Sequence, residues 1–188
     1  MPVEENIKKI YIVISQTGTI LSRILKVITG AEYNHASLGL TDDLQCMYSF
    51  GRKNPYNPFW GGFVLESPNH GTFKRFTNTK VKIISLEIPE EKYNAIRDRI
   101  DYMVSNKSEF GYNYLGLLFA WFKIVIKSKK RFYCSEFIKD VLVKSEIDGS
   151  ENLEDIPQPI HFLNIPNTEL IYTGKLKDYS TFSKLMHI

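Results

Sequence analysis

The stretch RFYCSEFIKDVLVKS, residues 131–145, sets the organisation of the chain. From Cys134 onward the apolar residues fall at Cys134, Phe137, Ile138, Val141 and Leu142. That is the i, i+3, i+4, i+7, i+8 stripe of a helix with one buried face. Ahead of it, Arg131-Phe132-Tyr133 reads as strand, so Cys134 opens the helix. The unpaired N–H groups at a helix start carry partial positive charge and favour a thiolate over a thiol. Cys134 therefore has two readings, a buried core thiol and a nucleophile. The position of a base decides between them.

The chain has 188 residues, 43% hydrophobic and 24% charged, which suits one domain over 1–188 with a sizeable core. Twelve Phe and 11 Tyr point to an aromatic-lined core or groove. A net charge of +3 is too weak and dispersed for a nucleic-acid partner. Two cysteines without paired spacing, Cys46 and Cys134, argue against a disulfide scaffold or a cysteine-rich zinc site. The start, MPVEENIKKIYIVIS, lacks the apolar core of a secretory signal, and the expected location is cytoplasmic. The run 114–130, YLGLLFAWFKIVIKSKK, is too short to span a bilayer and contains Lys123. It is expected as a helix over about 112–126, buried or in weak contact with a membrane surface.

Working outward, residues 8–15 (KKIYIVIS) read as a buried strand. Gln16 to Thr19 can cap a helix with apolar Ile20, Leu21, Ile24, Leu25 and Ile28, ended by Gly30. The segment 34–41, NHASLGLT, alternates as a half-buried strand, with His35, Ser37 and Gly39 on the polar face. A second strand is expected over 44–51. A three-residue turn would set His35 opposite Ser49, the preferred register, and a two-residue turn would set it opposite Phe50. Cys46 then shares a core face with Leu44, Tyr48 and Phe50. Residues 52–61 read as an irregular loop carrying Tyr56, Phe59 and Trp60. Strands follow at 61–66 and 81–88. A helix begins at Pro89-Glu90-Glu91 with Tyr93, Ile96, Ile100 and Met103 inward. Residues 168–176 form the last expected strand. The mixture defines one α+β domain.

Thiol hydrolysis needs a nucleophile at a helix start, a histidine on an adjoining strand and a third group holding the ring. Cys134, His35 and Ser49 are the candidates. His70, His161 and His187 lie in turns or near the terminus. Asn34-His35-Ala36-Ser37 on a strand, followed much later by Tyr133-Cys134-Ser135-Glu136-Phe137 opening a helix, resembles the circularly permuted papain-like amidases. These are bacterial relatives of the NlpC-type hydrolases, in the YiiX-like branch, and lecithin:retinol acyltransferase is similar in general fold. In ordinary papain-like enzymes the cysteine helix comes first; here the order is reversed, as in the permuted branch. The resemblance covers roughly residues 8–145. It implies an antiparallel sheet against the nucleophile helix, with Cys134 as nucleophile and His35 as general base. Relatives commonly carry a carboxylate or strongly polar group on the strand after the histidine, where this chain has Ser49; Glu66 is the alternative third group. The Cys134 N–H would form half of an oxyanion hole, with Gln16 or Tyr33 completing it and Tyr133 beside the substrate. The expected reaction is cleavage of a peptide-like amide through an acyl-enzyme, with no metal or organic cofactor. An acyltransferase or thioesterase taking an acyl substrate, and a non-catalytic binding module, are the competing readings.

Overall fold

The computed structural model describes residues 6–17, 31–54, 57–120 and 122–186. The helix expected over 20–28 lies outside them. The elements are β1 (Ile7–Gln16), β2 (His35–Gly39), β3 (Met47–Asn54), β4 (Asn57–Glu66), α1 (Gly71–Arg75), β5 (Lys80–Pro89), α2 (Glu90–Ser105), β6 (Gly111–Tyr112), α3 (Tyr114–Ala120), β7 (Arg131–Phe132), α4 (Cys134–Lys144), β8 (Thr168–Lys175) and α5 (Leu176–Met186). A 3-10 helix spans Pro159–Asn164. The eight strands form one sheet in the order β7-β6-β4-β3-β2-β1-β5-β8. Every pairing is antiparallel except β6 with β7. The architecture is α+β.

The near-continuous apolar run of β1 has a simple cause: both faces of the sheet are covered around it. Ile10, Ile12 and Ile14 enter the larger cluster, with Phe50 and Phe63 from the sheet, Ile96, Ile100 and Met103 from α2, and Phe137, Ile138, Val141 and Leu142 from α4. Tyr11 and Val13 face the smaller cluster, where Leu44, Met47, Phe73 of α1 and Leu176 and Tyr179 of α5 close the other side. The aromatic excess goes mainly to the larger cluster. There the Phe50 ring lies 5.3 Å from Phe132, 5.4 Å from Phe137 and 5.6 Å from Phe63.

Several local expectations differ from the structure. The second strand starts at Met47, because Leu44 turns into the left-handed region (φ 53°) and buries its side chain against Gly39. The β2–β3 register is therefore Leu38 with Tyr48 and Gly39 with Met47. Neither expected register holds, and Cys46 sits half-buried before the strand instead of in the core. Residues 52–61 mostly belong to the β3–β4 hairpin, which pairs Asn54 with Asn57. Two helices were not read from the sequence, α1 after His70 and α5 after β8. The helix expected over 112–126 stops at Ala120. Lys123 adopts φ 58°, and the β-branched run Ile124-Val125-Ile126 is a poor helix former. No helix among the described residues is long and apolar enough to cross a membrane.

Candidate active site

Cys134 is the first residue of α4, and the surroundings of that helix fix its position. Tyr133 is extended (φ −97°, ψ 171°) and breaks the preceding strand into the helix. The Glu136 carboxylate accepts from the Tyr133 N–H at 3.3 Å and from Asn113 Nδ2 at 3.1 Å. An acid in the first turn suits the helix dipole. Burial pushes the Glu136 carboxyl up despite those two donors. Asn113 is itself buried: its amide also donates to the Ile126 carbonyl at 3.0 Å, and its Oδ1 accepts from the Gly116 N–H at 2.9 Å. One asparagine thus joins the starts of α3 and α4. Behind it, the stripe read from the sequence is buried as expected, with Phe137, Ile138, Val141 and Leu142 fully enclosed.

His35 opens β2, with its backbone paired to Ser15 of β1. Its Nε2–H donates to Glu66, at 2.9 Å from Oε2 and 3.1 Å from Oε1. The Ser37 hydroxyl donates to the same carboxylate at 2.6 Å. The His35 and Glu66 side chains are 16% and 13% exposed. Cys134 lies close enough to the same imidazole for each group to shift the other's pKa. Glu66 hydrogen-bonds His35, and His35 acts electrostatically on Cys134, so α4, β2 and β4 meet in one cluster.

Glu66, and not Ser49, meets the histidine. Ser49 is fully buried and its hydroxyl donates to the Ala36 carbonyl at 2.6 Å. The observed register shifts Ser49 along the strand and brings Gly51 under the ring, where an added Cβ would lie 3.5 Å from His35 Cε1 and 3.5 Å from Glu66 Oε1. Glu66 belongs to β4, so it reaches the imidazole across β3. It does so over the small residues Ser49 and Gly51, which alternate onto that face.

The charges are mutually supporting. Burial opposes ionisation of His35 and is the largest single influence. The Glu66 charge, the neighbouring Cys134 and the hydrogen bond to Glu66 outweigh it, holding the imidazole well above its ordinary value. Burial likewise disfavours the Cys134 thiolate, yet His35, the Ala36 backbone N–H and the Ser135 hydroxyl together pull the thiol below its usual value. Glu66 is held low against its burial by His35, Ser37 and the charge of Arg52. These shifts favour the charged forms of all three groups, imidazolium, thiolate and carboxylate.

The remaining expected site residues are dispersed. Tyr33 is buried in the larger core cluster, and Gln16 ends β1 opposite Lys80. Among the described residues neither is hydrogen-bonded to Cys134 or His35. Tyr133 is buried directly before the nucleophile, and burial is the main cause holding its phenol protonated. Tyr112 and Arg52 were not singled out from the sequence. Tyr112 feels the Cys134 charge, and burial first, then that charge, keeps its phenol neutral. Its only sequence signal was membership of an aromatic run. Among the described residues no group of three or more His, Cys, Asp or Glu is arranged to hold a metal ion.

No family model, curated protein or solved structure significantly matches the chain.

Proposed function

We propose that the protein is a cysteine hydrolase of the permuted papain-like type, cleaving a peptide-like amide through Cys134, His35 and Glu66. One observation carries the reading: a single imidazole is hydrogen-bonded to a buried carboxylate and acts electrostatically on a helix-start thiol, lowering its pKa, which is the arrangement of an activated nucleophile. The order histidine, carboxylate, cysteine along the chain and the antiparallel sheet against α4 agree with the permuted branch.

In this mechanism the Cys134 thiolate adds to the substrate carbonyl carbon, and the carbonyl π electrons move to oxygen. The Cys134 backbone N–H has no acceptor within its own helix at this first position and can stabilise that oxyanion. The tetrahedral adduct collapses as the imidazolium of His35 gives its proton to the departing nitrogen. This leaves a thioester on Cys134 and a neutral imidazole. A water then gives its proton to His35 and its hydroxyl to the thioester carbonyl, and collapse releases the acid and regenerates the thiolate–imidazolium pair. Glu66 keeps the ring in place and stabilises its charged form throughout.

A second reading keeps the chemistry and changes the substrate to an acyl ester or thioester. It is favoured by the exposed apolar residues Leu115, Leu118, Phe122, Ile124 and Val125, close in sequence to Tyr112 and Tyr114. The non-catalytic module drew its motivation from a missing carboxylate, a position that Glu66 can fill. Incubation with muropeptide and lipid mixtures, followed by mass spectrometry of Cys134, separates the readings. A peptidyl adduct and turnover that vanishes in a folded Cys134→Ala variant are expected. A fatty-acyl adduct favours the second reading, and full turnover in Cys134→Ala refutes both.

A further inference from the structure

Beside Glu66 a groove of about 450 Å³ is lined by Arg52, Lys53, His70 and Lys107 together with Phe63 and Phe73. Among the described residues its only carboxylate is Glu66, which is already engaged by His35 and Ser37. Among the described residues, Arg52, Lys53 and Lys107 form no ion pair and no side-chain hydrogen bond. Lys53 and Lys107 are exposed, where water serves them; Arg52 is half-buried. A guanidinium carries five N–H donors in a planar fork suited to a carboxylate, and removing it from water without an acceptor is unfavourable. Burial weakens the Arg52 cation, the like charge of Arg75 weakens it further, and Glu66 offsets this only in part. The same guanidinium acts electrostatically on Glu66 and on Tyr112, the phenol that also feels the Cys134 charge. Among the described residues Arg52 is therefore a half-buried cation without a side-chain acceptor, acting electrostatically on Glu66 at the candidate site.

We propose that this groove receives a carboxylate of the substrate, with Arg52 as its anchor and Lys53 and Lys107 supplying the attracting field. The inference rests on the cysteine-hydrolase reading and names its substrate class: peptide-like amides that carry an acidic group close to the cleaved bond. Phe63 and Phe73 provide apolar walls for the connecting carbons.

Two alkylating reagents of nearly equal size test the proposal without a known substrate, since iodoacetate carries a carboxylate and iodoacetamide does not. Rates at Cys134 are measured for both by peptide mass spectrometry at low salt, which also separates Cys46. The ratio of iodoacetate to iodoacetamide rates is expected to fall about tenfold in Arg52→Gln, the factor for one charge-assisted hydrogen bond. A smaller fall is expected in Lys107→Gln, whose exposed position leaves folding intact, and added salt should shrink both effects. If Cys134 reacts with iodoacetamide faster than a free thiol, but neither substitution moves the ratio, the carboxylate inference is overturned and the catalytic reading stands. If iodoacetamide reacts as with an ordinary thiol, and His35→Ala changes nothing, the catalytic reading itself fails.

Discussion

Replacing Glu66 by glutamine keeps the shape of the third group and removes its charge. At 2.9 Å and an effective dielectric constant of about 20, the His35–Glu66 charge pair is worth about 6 kcal/mol. Both side chains are less than a fifth exposed, so solvent screens little of it. Burial opposes charging of both partners, and a net loss near half that figure, about 3 kcal/mol, is a reasonable expectation. Without the carboxylate the imidazole loses its main support and its proton affinity falls. The thiolate then loses the imidazolium that holds its own pKa down. The sign follows directly: the acid limb of Cys134 alkylation by iodoacetamide should move to higher pH in Glu66→Gln. On the native acid limb, below the ordinary thiol value of about 8.5, the rate should drop about a hundredfold, the equivalent of about 2.7 kcal/mol. The measurement is a pH series of alkylation rates, with circular dichroism confirming the fold. A drop smaller than about threefold, or an acid limb that stays put, would refute the assignment of Glu66.

Ser49→Ala should separate structure from chemistry in the opposite sense. Losing the buried bond to the Ala36 carbonyl should cost about 1–2 kcal/mol in urea denaturation, while the pH series of Cys134 alkylation keeps its shape. Phe50→Ala should cost about 3–5 kcal/mol by the same denaturation measurement, since its ring is fully enclosed among Phe63, Phe110, Phe132 and Phe137.

The elements legible in the sequence were those whose periodicity is set by burial. The stripe on α4, the strand β5 and the inward face of α2 declared themselves because one pattern meets one core. The readings that failed depended on a single backbone angle or on a distant partner. Leu44 looks like the start of a strand by composition, yet it buries its side chain by adopting positive φ, and that one residue moved the register of β3. The 114–126 run has helical hydropathy, but Lys123 at positive φ marks where the helix has already ended. At the candidate site, the placing of the thiol at a helix start and of the imidazole on a strand was readable because both are local signals. The third group was harder to read, because it comes from a strand that is not the neighbour of β2. Only the sheet order reveals that Glu66 can pass over β3.

That crossing acts as a ruler. Neighbouring strands lie about 4.8 Å apart, so the backbones of β2 and β4 are separated by roughly 10 Å. An imidazole from one side and a carboxylate on two methylenes from the other just span this gap, provided that the strand beneath them stays low. Shortening the acid to aspartate withdraws its oxygens by about 1.5 Å, one carbon–carbon bond, enough to part them from Nε2. The site therefore selects its acid by length as much as by charge.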